Sequence, residues 1–120
     1  MLTLDQIKQV HIEITTRCQA RCPMCPRNYR GTDYNSGYPL TELSAEDISQ
    51  ILDPIRSQLD FVNFNGNLGD FSSAKQGKQS VNWLLENTHA EINIMTNGSA
   101  RTPDWWAELA HPRVTVTFDL

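Results

Sequence analysis

The chain has 120 residues, of which 39% are hydrophobic and 20% charged, with a formal net charge of −4 at pH 7. That balance belongs to a globular domain and not to a disordered segment, and its negative sign offers no basic field for nucleic acid. No run of about 18 apolar residues could cross a membrane, and the N-terminus MLTLDQIKQVHIEI lacks the basic and apolar regions of a secretory signal.

In chain order, the first apolar run is Gln9 to Thr15, where Val10, Ile12 and Ile14 alternate with polar neighbours and predict a strand. A stretch from Cys18 to Thr41 follows with no periodic pattern, and so long a loop in a compact domain is usually functional. Ser44 and Asp47 then have the spacing of a capping box, and Ile48, Ile51, Leu52, Ile55 and Leu59 form the apolar stripe of a helix. Asp60 to Asn65 predicts a second strand, Lys78 to Thr88 a second helix with Val81, Leu84 and Leu85 inward, and Glu91 to Thr96 a third strand. Thr102, Pro103 and Asp104 open a short third helix that buries Trp106 and Leu109, and Arg113 to Asp119 predicts a fourth strand.

Strands alternating with helices predict an α/β fold with right-handed crossovers and a parallel sheet. Residues 1–120 form one domain with no internal linker, repeat or low-complexity tract. The sequence ends at Leu120, by the fourth strand, with no helix to follow it. The expectation is an incomplete parallel barrel of about three and a half βα units, the N-terminal portion of something larger, with an apolar edge and face left unpaired.

In such folds ligands gather at the carboxyl ends of the strands. Thr15, Thr16 and Arg17 follow the first strand, Gly66-Asn67-Leu68-Gly69-Asp70 the second, Asn97-Gly98-Ser99 the third, and Thr117 and Asp119 end the fourth. Beside them stand all the thiols of the chain, Cys18, Cys22 and Cys25, in the stretch CQARCPMC. A secreted disulfide scaffold spreads an even number of cysteines along its length. An odd cluster points to a reducing compartment, by default the cytoplasm, and to a metal. Thiolate sulfur suits iron–sulfur clusters, zinc or Cu(I). Pro23 and Pro26 hold Cys22 and Cys25 out of helical conformation, while Arg17, Arg21 and Arg27 offset negative charge. Three ligands leave one iron of a four-iron cubane open to a non-protein ligand.

The pattern C-x3-C-x2-C directly after a first strand resembles the radical SAM superfamily. The resemblance covers nearly the whole chain and implies that Cys18, Cys22 and Cys25 ligate a [4Fe–4S] cluster whose open iron chelates S-adenosylmethionine. One electron would then cleave the sulfonium and yield a 5′-deoxyadenosyl radical that abstracts hydrogen from a substrate. Leu68-Gly69-Asp70-Phe71 is similar to the family's Gly-Gly-Glu-Pro loop, keeping one glycine and the carboxylate, and implies that Gly69 and Asp70 hold the methionine amino group. Gly66 and Gly69 would serve through positive φ and close backbone approach. Thr96-Asn97-Gly98 resembles the family's T-N-G and puts Asn97 at the cofactor. Thr117 and Asp119 match positions that contact its ribose or carboxylate, and Met24 stands where an aromatic residue often backs the adenine. The wording C-P-M-C-P-R looks like members with further C-terminal clusters. An electron donor such as flavodoxin or ferredoxin is implied; the small-molecule or peptide substrate is not.

Simpler readings stand beside these. Three thiolates and a histidine could bind zinc, and a fragment could hold a cluster without catalysis. Gly66, Gly69 and Asn97-Gly98 are also ordinary turn residues. Asp70 could cap the segment after it, and Trp105 and Trp106 are packing residues.

Overall fold

The computed structural model describes residues 1–32, 35 and 37–119. Positions 33, 34 and 36 of the long loop, and Leu120, on which the expectation about the chain's end falls, lie outside the described residues.

The alternating apolar runs become four strands: β1 (Gln9–Ile12), β2 (Phe61–Phe64), β3 (Glu91–Thr96) and β4 (Val114–Phe118). They pair in parallel in the order β1-β2-β3-β4. Because the order never reverses, this is an α/β fold compatible with part of a βα barrel.

The register explains the core. Val10, Val62, Ile92 and Val114 make one row across the sheet, and Ile12, Phe64, Ile94 and Val116 make the next. Helices α1 (Ala45–Leu52) and α2 (Gly77–Asn87) add Ile48, Leu52, Val81 and Leu84 to the same core. Phe64, Leu59, Val62 and Ile94 are wholly buried, and each such side chain contributes about 1.5–3 kcal/mol.

Helix α1 is shorter than its stripe. A 3-10 turn over Asp53–Ile55 replaces it where Pro54 can no longer donate to the helical ladder. Ile55 and Leu59 are buried beyond its end, whereas Ile51 is 59% exposed and does not belong to the buried face. Helix α3 (Pro103–Ala107) is capped by Thr102, whose hydroxyl accepts from Trp105 N at 3.3 Å. Leu109 is buried just past its end, and Trp106 is half-buried, edge-on to Trp105 and Phe118.

One expectation holds only in part. The sheet face opposite the helices is mixed: Phe61 and Met95 lie on it, but His11, Asn63, Asn93 and Thr115 form a polar row between the two apolar rows. Asn93 Nδ2 donates to Asn63 Oδ1 at 2.9 Å, and Thr117 Oγ1 donates to Asn93 Oδ1 at 3.3 Å. A parallel sheet covered on both sides is apolar on both. At the β4 end of the sheet Phe118 is 47% exposed. No helix among the described residues is long and apolar enough to cross a membrane.

The start of α1 carries a pH-dependent contribution. Ser44 N donates to Asp47 Oδ2 at 2.8 Å and Asp47 N donates to Ser44 Oγ at 3.0 Å. The backbone and side-chain hydrogen bonds with Ser44 hold the Asp47 carboxyl below its ordinary pKa. A lowered folded-state pKa means that the contribution is complete above the unfolded value, about 3.9, and is lost as pH falls through the folded one. Asp47→Asn will therefore lower the urea midpoint at pH 7, and the gap from the parent will close on acidification below about pH 4; a gap independent of pH refutes the assignment. Ser44→Ala will cost about 1 kcal/mol at pH 7 in the same measurement.

Candidate metal centre and cofactor cleft

The long loop begins by leaving the sheet. The alternation predicts β1 to Thr15, but the strand stops at Ile12 because Ile14 and Thr15 turn to a different partner. Thr15 forms an antiparallel bridge with Glu42, Leu43 N donates to Ile14 O at 2.8 Å, and Thr16 N donates to Thr41 O at 3.0 Å. The two ends of the loop are thus joined at its base.

The cysteine stretch is then built from two consecutive β-turns. Cys25 N donates to Cys22 O at 3.0 Å, and Asn28 N donates to Cys25 O at 3.2 Å. Each turn has a cysteine at its first corner and a proline, Pro23 or Pro26, at its second, where proline's fixed φ is already correct. Asn28 Nδ2 also donates to Cys22 O at 3.3 Å, and Arg27 Nη2 donates to Ala20 O. Arg27 and Asn28 are buried, so the loop has a small polar core of its own.

All three cysteines are free thiols, Cys22 exposed and the other two half-buried. They line one cleft of about 170 Å³ together with Arg27, Asn65, Gly69, Asp70, Asn97 and Asp119. The topology therefore brings Gly69, Asp70, Asn97 and Asp119 to the thiols. Thr117 does not join them; its hydroxyl is spent on Asn93 of the open face. Met24 is 94% exposed and backs nothing in the cleft.

Among the described residues, no three His, Cys, Asp or Glu side chains are grouped closely enough for a single metal ion. The histidines lie elsewhere: His11 Nε2 is 2.6 Å from Asn65 O, His89 pairs with Asp60 at 3.1 Å, and His111 Nδ1 accepts from Arg113 N. A tetrahedral zinc site needs its donors around one atom. A cubane binds each thiolate through a different iron and does not need its ligands to converge on one atom; the three thiols share one cleft. The charge fits too. Arg27 lines the same cleft, which places a positive charge beside the thiols, and its Nε is buried without a hydrogen-bond partner. Trp106 Nε1, the other such atom among the described residues, lies in the aromatic cluster with Trp105 and Phe118.

Loops after different strands interlock here. A Cβ on Gly69 would lie 1.9 Å from Thr15 O, so only glycine lets the β2 loop pass the β1 loop. Close approach is the reason for this glycine; positive φ occurs at Gly31 and Gly98, not at Gly66 or Gly69. Asp70 N donates to Arg17 O at 2.9 Å. The Asp70 carboxylate is 8% exposed and fully engaged: Oδ1 accepts from Asn97 N at 2.8 Å, and Oδ2 accepts from Ser72 N at 2.9 Å, from Thr96 Oγ1 at 2.6 Å and from Ser72 Oγ. It caps the turn Phe71–Ser73, the simpler of its two readings. Gln19, which the motifs did not single out, bridges three loops: Ser73 Oγ donates to its Oε1 at 2.7 Å, and its Nε2 donates to Asn97 Oδ1 at 2.8 Å. Its only sequence signal is its place next to Cys18.

Asp70→Ala will therefore destabilise the metal-free chain by roughly 1–3 kcal/mol, since buried donors lose their acceptor. Urea unfolding without iron or cofactor reads this directly. Unchanged stability would mean that the carboxylate serves a ligand and not the fold.

A scan of the chain against models of known protein families gives no match, and a search of curated proteins returns no matching relative.

Proposed function

We propose that this chain is a radical SAM enzyme domain, holding a [4Fe–4S] cluster through Cys18, Cys22 and Cys25 and binding S-adenosylmethionine beside it. The observation that carries the reading is the meeting of three unpaired thiols, a buried arginine with a free N–H, and the Gly69, Asn97 and Asp119 rim in one cleft. When bound, the cluster supplies one electron and S-adenosylmethionine the carbon radical that takes hydrogen from a substrate.

The chain's own residues have distinct tasks. The two proline turns present Cys22 and Cys25 from successive corners, and Arg27 lowers the cost of gathering negative charge near the thiolates. Gly69 lets the β2 loop pack against the β1 loop at Thr15, which sets that side of the cleft. Asp70 acts one step back, holding Asn97 and the β2 loop in place through its carboxylate. Asp119, exposed at the end of β4, has its N–H bonded to Thr96 O at 2.8 Å and leaves its carboxylate for a polar ligand group. Asn65 and Met95 line the cleft and lead onto the polar row of the sheet, whose amides and hydroxyls suit a polar substrate. A flavodoxin or ferredoxin would deliver the electron.

Anaerobic reconstitution tests the reading. The parent chain is expected to bind about four irons with matching sulfide and, with dithionite and S-adenosylmethionine, to release 5′-deoxyadenosine. Cys22→Ala will lose the brown chromophore and the cleavage together. Stoichiometric zinc without sulfide would overturn the proposal, and a cluster that never cleaves the sulfonium would reduce it to cluster binding alone.

A further inference from the structure

The end of β3 makes one contact that the cofactor reading does not use. Asn97 Nδ2 lies 3.4 Å from Cys18 Sγ. Which end of the amide faces the sulfur is decided by its other neighbours. Ser99 N, which can only donate, lies 3.0 Å from Oδ1, and Gln19 Nε2 lies 2.8 Å from the same atom. The oxygen end must face those donors, so the N–H end faces the thiol. The Ser99 contact is an Asx turn, permitted by Gly98 at φ +70°. From behind, Asn97 N donates to Asp70 Oδ1 at 2.8 Å. Backbone and side chain are therefore both fixed before any ligand arrives. Among the described residues, Cys18 alone of the three thiols accepts such a bond.

Resting on the cluster assignment above, we infer that Asn97 is a positioning residue for the cluster itself: its amide N–H donates to the Cys18 sulfur and makes the cluster easier to reduce. A donor aimed at a ligand sulfur stabilises the more electron-rich, reduced state, and hydrogen bonds to sulfur are among the levers that set cluster potentials. The site is only half-exposed, so water does not cancel the effect. Cys18 is also the ligand nearest the strand, which makes it the point where the sheet can impose a fixed dipole on an otherwise exposed loop. The expected size is about tenfold in the reduction equilibrium, or about 59 mV for a one-electron couple.

The test is an EPR-monitored redox titration of reconstituted parent, Asn97→Asp and Asn97→Ala chains. Asn97→Asp keeps the acceptor for Ser99 and Gln19 and removes the donor; Asn97→Ala removes it without adding charge. Both should be harder to reduce, by about tenfold or more, at equal iron content. A second measurement needs no variant: parent protein grown on amide-15N-labelled asparagine should show a side-chain nitrogen coupling in the pulsed EPR of its reduced cluster. Equal midpoints at equal iron content overturn the inference and leave the cluster assignment standing. If the variants do not fold, the nitrogen coupling decides alone, its absence counting against the inference. A parent chain that takes up no iron and sulfide overturns the assignment, and this inference with it.

Discussion

The carboxylate of Asp70 is a buried anion with no cation beside it in its hydrogen-bond set, held by donors from the turn after β2 and from the end of β3. Taking a carboxylate out of water costs several kcal/mol unless its lone pairs are filled. Here they are filled by two backbone N–H groups and two hydroxyls, and the Asp70 N–H reaches back to Arg17 O. One residue thereby joins the exits of β1, β2 and β3. A shift of any of these loops would strand a buried charge, so the rim is stiff where the cleft needs it to be. The Gly69 backbone against Thr15 acts in the same direction by sterics: the loops cannot separate without breaking the Asp70 bonds, and cannot approach further.

This stiffness is what fixes the position of Cys18 relative to the sheet. Gln19, the next residue, is tied to Ser73 and Asn97, so the first thiol is anchored to the rim on both sides. Cys22 and Cys25 are held differently, by turns within their own loop and by the buried pair Arg27 and Asn28.

The parallel sheet, its strand order of elements and the helix caps were legible in the sequence because they depend on local periodicity and on short-range side-chain contacts such as Ser44 with Asp47. The convergence of Gly69, Asp70, Asn97 and Asp119 on the cysteines was also legible, since parallel topology puts every strand's carboxyl end on one rim. What was not legible depends on tertiary partners. Nothing local tells Thr15 to pair with Glu42 instead of continuing β1, or sets Ile51 apart from the buried face that holds Ile48 and Leu52. The polar row was readable in principle: His11, Asn63, Asn93 and Thr115 alternate with the apolar residues in each run. It takes the register to align them into one wall. The prolines, read as restraints on the residues before them, act equally as second corners of turns.

The cysteine loop differs from the rest of the chain in what its order depends upon. Elsewhere burial of aliphatic side chains outweighs the entropy of fixing the backbone, at about 1–2 kcal/mol per residue. The loop has no such core: Cys22, Pro23, Met24 and Pro26 are exposed, and its one buried cation has an N–H without a partner. An unmet buried donor costs about 1–3 kcal/mol, and the two prolines lower the entropy of the competing unfolded states without supplying that partner. The two proline turns therefore order the loop by local restraint of the chain and not by burial.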